Sequence, residues 1–265
     1  MSALLRDTVA ELINRKIFIV FLVITLLLLL MVYLSWGIRE DFTARSGGEF
    51  GAEELLGSLA PWVAEVFSRV MSVYIFFAVL AAAGLLPRML EKGRAEFLLS
   101  QPVSRTQLLL GKILSIWLVY GLMAVICGLI VYGVTAAVHG VFDTRIILLF
   151  AVYMLEFLIW VSVIALAGIL FGSAAWSMTA AFTVWLAQYL LSYHEGITQL
   201  ASNRFVDYAV ESLYYVIPKT GEMGDLAVRL AIGRPVHSWL PLWSSLLFAL
   251  VLFYFAIWSF RRRDY

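Results

Sequence analysis

Six long apolar stretches constrain this chain more than any other feature. They cover roughly 17–36, 63–86, 113–138, 146–171, 174–192 and 240–260. About 20 apolar residues carry a helix across the hydrocarbon core of a bilayer. Backbone polar groups find no water there, so an uninterrupted apolar run must satisfy them within its own helix. The fourth and fifth stretches are separated by Phe171-Gly172-Ser173-Ala174, a tight turn between two spans. The second opens with Glu65 and Arg69, which sit four apart on one helical face and can pair at the interface.

Composition excludes the other classes. Hydrophobic residues make up 63% of the 265 positions and charged residues 14%, against about 45–50% and about 25% in soluble domains. A soluble fold of this size has too little interior to hide so much apolar surface. The single cysteine, Cys127, cannot form an internal disulfide, and Cys and His do not cluster at zinc-ligand spacing. The first apolar run is longer than the about 7–15 residues of a signal-peptide core and is not followed by a small-residue cleavage site. It is expected to be a retained span.

The net charge of +1 says little, but the placement of the 19 basic residues says more. Arg6, Arg15 and Lys16 precede the first span. Arg88, Lys92, Arg94, Arg105 and Lys112 lie between the second and third, and Arg261, Arg262 and Arg263 follow the sixth. Cytoplasmic loops are rich in Lys and Arg, and all three groups share one side only if the span count is even. Both termini are then cytoplasmic. Attraction to anionic lipid accounts for these residues, so nucleic acid is not an expected partner.

Residues 1–16 predict an amphipathic interfacial helix, with Leu4, Leu5, Val9, Leu12 and Ile13 on one face and Arg6, Asp7, Glu11, Asn14 and Arg15 on the other. Between spans two and three, 88–99 reads as a short helix that Pro102 ends. Ser104-Arg105-Thr106-Gln107 then fits a capping box that opens the helix of span three. Such a capped corner suits a docking surface as well as a solvated basic loop. The segment 193–239 is too long for a bare linker. It predicts an amphipathic helix around Phe205–Leu213 stopping near Pro218, and a second short helix over Asp225–Ile232, both packed over the external mouth. The whole chain, 1–265, is expected to be one membrane domain.

Chemistry-bearing motifs are few. Gly111-Lys112 lacks the upstream glycine of a phosphate-binding loop, and neither H-E-x-x-H nor G-x-S-x-G occurs. No catalytic set and no metal site are expected; His139, His194 and His237 are scattered near the external surface. Glu156 is the one acid deep in a span. At mid-depth it costs roughly 2.5–3.5 kcal/mol to insert and should face protein, water or a partner group. It is a candidate polar point in a transport path or a proton-sensitive switch; the alternative is a protonated or hydrogen-bonded carboxyl that ties helices together, for example through Gln188. Gly168-x-x-x-Gly172 and the cluster from Ala81 to Gly84 mark close helix approach, within the chain or between copies.

The run Glu91-x-Gly93-x-x-Glu96-Phe97-Leu98-Leu99-Ser100-x-Pro102-Val103-Ser104-Arg105, followed by Gly111-Lys112, resembles the segment between spans two and three of ABC-2 type transporter permeases. The plan of the chain is similar too, and is closest to the single-domain group that includes the nitrous-oxide-reductase maturation permease. One departure, Gly93-Arg94-Ala95-Glu96 in place of a usual Gly-Thr-Leu-Glu, marks a subgroup. The resemblance implies an all-α integral membrane fold of six spans with an interfacial N-terminal helix. It implies a permease subunit in a prokaryotic inner membrane, paired with a second permease copy and driven by a separate cytoplasmic ATPase. ATP and magnesium would then bind that partner, with no cofactor on this chain. Glu91, Glu96 and Arg105 would make charged contacts to the ATPase, Phe97 and Leu98 would fill its groove, and Gly93, Pro102 and Ser104 would set the backbone. The external segment would cap the path or meet an extracytoplasmic partner. Competing readings are a stand-alone secondary transporter using Glu156, an intramembrane enzyme and a structural anchor.

Overall fold

The computed structural model describes residues 2–14, 16–45, 52–90, 104–139, 143–192 and 204–262. Among them the chain is all-helical. In chain order the helices are α1 (Ser2–Asn14), α2 (Ile17–Arg45), α3 (Ala52–Ala82), α4 (Leu85–Met89) and α5 (Arg105–His139). They continue with α6 (Ile146–Phe171), α7 (Ala174–Leu191), α8 (Arg204–Val216), α9 (Thr220–Ala231) and α10 (Leu240–Arg262).

Helix α6 is the centre of the bundle and packs on α3, α4, α5, α7, α9 and α10. Both its ends are set locally. The Asp143 carboxylate accepts the Arg145 amide at 2.9 Å before the first turn. Gly172 takes a left-handed φ of 63° after the last turn and returns its amide to the Gly168 carbonyl at 2.9 Å, a conformation open to glycine at no steric cost. Gly168 does separate work. A Cβ there would lie 2.9 Å from Ser177 Oγ and 3.1 Å from Pro87 Cδ, so the missing side chain lets α4 and α7 close on α6. The Gly168-x-x-x-Gly172 spacing is thus a close contact followed by a helix cap, both within one chain.

Polar pairs fasten the other helices. Thr25 and Tyr74 share a hydroxyl bond of 2.7 Å between α2 and α3, beside stacked Phe21 and Tyr74 rings. Tyr153 on α6 donates to the Ser68 carbonyl at 2.8 Å and meets Ser68 Oγ at 2.7 Å on α3. Trp117 on α5 donates its indole N–H to the Met154 carbonyl of α6 at 2.8 Å. Such bonds hold helices together where surrounding lipid is as apolar as the side chains.

The outer surface fits a bilayer. Trp243, Leu247, Leu250, Tyr254 and Trp258 form an exposed stripe along α10 at three- and four-residue spacing. Four described segments, Val63–Met89, Arg105–Ala137, Ile146–Phe171 and Leu240–Arg262, are long and apolar enough to cross a membrane. A fifth joins them if Arg6–Asn14 and Ile17–Leu30, bent by 67°, count as one. Lys16 makes that corner with a φ of 55°. Helix α7 has 18 residues, but Ser177, Thr179, Thr183 and Gln188 dilute its apolar run, and it is not among these candidates.

Several helices depart from their expected bounds. Helix α2 continues past the first apolar run to Arg45, and α3 starts at Ala52, ahead of the second. Hydropathy marks where a chain leaves lipid, not where its helix ends, and 38–45 contains no glycine or proline. Helix α9 begins at Thr220 rather than near 225, directly after Pro218 and Lys219. It also does more than cover the bundle. Met223, Leu226, Ala227 and Ala231 are buried, and the helix packs against α3, α6 and α10. The Glu65–Arg69 pair forms as its spacing predicts, with N–O at 3.0 Å and both side chains exposed.

Candidate functional site

Two places concentrate the functional side chains. The first is the end of the bundle where α5 begins and α10 finishes. Ser104 and Gln107 form a reciprocal capping box. The Gln107 amide donates to Ser104 Oγ at 3.3 Å, and the Ser104 amide donates to Gln107 Oε1 at 3.2 Å. Both ends of this exchange satisfy amides that the first helical turn leaves without partners. One residue on from Arg105, Thr106 Oγ1 accepts from Arg261 Nε at 2.9 Å, which joins the start of α5 to the end of α10.

Two turns further along α5, Lys112 is 2% exposed. Its ammonium reaches α1 and donates to Asp7 Oδ2 at 2.8 Å and to Thr8 Oγ1 at 3.2 Å, with Glu11 Oε2 at 3.5 Å. The expected amphipathic arrangement of α1 is therefore modified. Its acids and Thr8 turn toward the protein because a buried cation needs counter-charge. Leu12 packs beside them, while Val9 and Ile13 are exposed. In the sequence Lys112 is a basic residue of the loop and part of the Gly111-Lys112 pair of the resemblance, with no local sign that it is buried. The available signal was the pair Asp7 and Glu11, one turn apart with Thr8 between them.

Of the coupling residues implied by the resemblance, Glu91, Gly93, Glu96, Phe97, Leu98 and Pro102 lie outside the described residues. Ser104 and Arg105 stand at the start of α5, where that segment rejoins the bundle.

The second place is a cavity of about 780 Å³ between α3, α6 and α7, closed at one end by the connection from α8 to α9. Its walls include Phe76 of α3, Trp160 of α6 and Phe182 and Trp185 of α7. Glu156 reaches it from the middle of α6 and is 7% exposed. The Trp160 indole N–H donates to Glu156 Oε1 at 3.3 Å. Gln188 lines the same cavity but is not joined to Glu156. Its Oε1 accepts from Thr220 Oγ1 at 2.5 Å, tying α7 to α9, and its Nε2 is buried without a partner among the described residues. The expected tie through Gln188 thus runs to α9 instead, because Gln188 lies near the end of α7 and level with the start of α9.

A polar latch closes that end. Lys219 donates its ammonium to the Tyr214 carbonyl at 2.7 Å and lies 4.0 Å from the Tyr214 ring centroid. Its backbone amide donates to Ser245 Oγ of α10 at 2.8 Å. The Tyr214 hydroxyl donates to Glu222 Oε1 at 2.8 Å. Burial pushes the Lys219 pKa below its ordinary value, and the nearby Glu222 carboxylate acts in the opposite direction. Neither Lys219 nor Glu222 announces itself in the sequence, since their partners Tyr214 and Ser245 lie on other helices.

No curated protein matches the chain. A family model described as ABC-2 family transporter protein matches residues 3–265. It spans α1, the capped start of α5, the central α6 and the latch, so the chain belongs to the ABC-2 family of membrane transporter proteins.

Proposed function

We propose that this chain is the six-span transmembrane subunit of an ABC exporter, working as a pair of permease subunits with a separate cytoplasmic ATPase. Helices α2 and α7 complete the span count. Arg105, Lys112, Arg261 and Arg262 gather at one end with α1, and an end rich in basic residues is cytoplasmic in this reading. The membrane is then a prokaryotic inner membrane with both termini inside. ATP and magnesium bind the partner.

The observation that carries the reading is the fastening of the first turns of α5. Residues 91–105 feed directly into the Ser104–Gln107 cap, which stiffens the start of α5. Lys112 fastens those turns to α1, and Thr106 fastens them to α10. A push on the coupling segment therefore moves three helices rather than a loose loop. Trp117 passes the motion on to α6, whose Glu156 and Trp160 line the cavity. Nucleotide on the partner biases this two-state element through its different contacts in the two states. A stand-alone transporter has no need for that end to be so fastened.

Affinity purification of the chain co-expressed with the P-loop ATPase from the neighbouring reading frame tests this. The ATPase is expected to co-purify, and Glu96→Ala with Arg105→Ala is expected to reduce its recovery at least about tenfold, equivalent to 1.4 kcal/mol of contact energy. Membrane insertion should be unaffected. A labelling experiment that found residues 91–103 outside the cell would contradict the reading.

A further inference from the structure

We propose that the cavity between α3, α6 and α7 is a binding site for hydrophobic organic cations, with Glu156 as the counter-charge. The volume of about 780 Å³ suits a single small molecule, since such sites run about 300–1,000 Å³. The walls then specify its chemistry. Phe76, Phe182 and Trp185 line it and are each more than half exposed, so its walls are largely aromatic and apolar. A ligand that fills it must be largely apolar.

Glu156 lines the cavity from the middle of α6, whereas Lys219 and Glu222 line it at the latch end. Glu156 is held on α6, the central helix of the bundle, is itself buried, and is among the residues that line the cavity. Among the described residues its hydrogen bond is the long one from Trp160, and no lysine or arginine forms an ion pair with it. In such surroundings the carboxylate form needs an opposite charge. Lys219 does not supply it, because its ammonium is engaged by the Tyr214 carbonyl and ring at the far end. A cationic ligand does. The indole of Trp160 and the ring of Trp185 in the same walls favour such an ion through their π faces. Gln188 Nε2, buried and without a partner, offers one donor to an acceptor atom on the same molecule.

An anionic or neutral apolar molecule would fill the volume equally well but would offer the carboxylate form no opposite charge. The proposal concerns binding by this chain alone. Only the further step, that the bound cation is cargo, rests on the transporter reading, so a failure of one does not imply a failure of the other.

The test uses two rigid ions of the same shape and opposite charge, measured separately by equilibrium dialysis with the detergent-purified protein and no nucleotide. Tetraphenylphosphonium is expected to bind saturably. Tetraphenylborate is expected to show only the unsaturable uptake of empty detergent. Glu156→Gln should weaken tetraphenylphosphonium at least about tenfold, and Trp185→Ala should weaken it by a smaller factor. The charge comparison needs no variant, so it stands even if Glu156→Gln fails to fold. Equal saturable binding of the two ions, no saturable binding of the cation, or an unchanged affinity in folded Glu156→Gln would each overturn the proposal.

Discussion

Lys112 and Asp7 are 105 positions apart, yet their charged groups meet at 2.8 Å. The lysine is 2% exposed and the aspartate 43% exposed. This pair fixes α1 against the third turn of the longest helix, α5.

The pair makes an asymmetric prediction. Stranding a buried ion by deleting its partners costs about 3–5 kcal/mol, less here because Asp7 is partly exposed and screened. Asp7→Asn with Glu11→Gln should therefore lower the thermal unfolding midpoint in detergent more than Lys112→Met does. Adding Lys112→Met to the two acid changes should recover part of the loss. A triple variant as unstable as the double would mean that the ammonium is not what the acids hold.

The cap at Ser104 has a smaller effect. Replacing an N-cap serine by alanine costs about 0.5–2 kcal/mol. Ser104→Ala is expected to speed amide hydrogen exchange at Thr106 and Gln107 several-fold, while Ser104→Asp keeps the protection because its carboxylate accepts the same bond. Equal exchange in both variants would show that the cap does not order the start of α5.

Glycine positions separate packing from backbone freedom. A Cβ at Gly168 meets Ser177 Oγ at 2.9 Å and the Pro87 ring at 3.1 Å, whereas at Gly133 it meets nothing within 4 Å. Overpacking of this kind costs about 1–3 kcal/mol. Gly168→Ala should lower the unfolding midpoint, and Gly133→Ala should hold or raise it because alanine is the better helix former. Matched changes in the two variants would contradict the close approach of α4 and α7 to α6.

Tyr153 carries the α3–α6 contact. Its hydroxyl meets Ser68 Oγ at 2.7 Å, the Ser68 carbonyl at 2.8 Å and Ser72 Oγ at 3.3 Å. Removing that hydroxyl leaves buried polar atoms unmatched, at about 1–3 kcal/mol. Tyr153→Phe with Ser68→Ala should be less destabilised than the sum of the single variants, and a double-mutant cycle in detergent measures this coupling directly.

The parts of this fold that can be read from sequence are those set by local chemistry. The apolar run 146–171 coincides with α6 because a turn residue bounds each side: Asp143 before it and Gly172 after it. The Ser-x-x-Gln spacing gives the capping box because both partners lie within one turn. The start of α9 is missed because Thr220 follows Pro218 and Lys219 ahead of the apolar positions Met223, Leu226 and Ala227, and Ser245, 26 positions on, fixes the Lys219 amide. The Lys112 clamp is missed for the same reason, since Asp7 on α1 is 105 positions away.

At the site, Glu156 is visible as a lone acid in an apolar helix, and Gln188 as a polar residue in the next. What they face is decided by three-dimensional packing. At one end of the cavity α9 is tied to α7 through Thr220 on Gln188, and the residue before it is tied to α10 through the Lys219 amide on Ser245. No pattern within α6 or α7 encodes those ties.

The central claim is that a separate motor acts through the bend that leads into α5. ATP hydrolysis by the partner ATPase, measured with and without this chain in lipid nanodiscs, tests it most directly. The account predicts that the wild-type chain changes the hydrolysis rate at least several-fold and that Glu96→Ala with Arg105→Ala returns it to the rate of the ATPase alone. A rate indifferent to the wild-type chain, or one equally altered by the double variant, would contradict it.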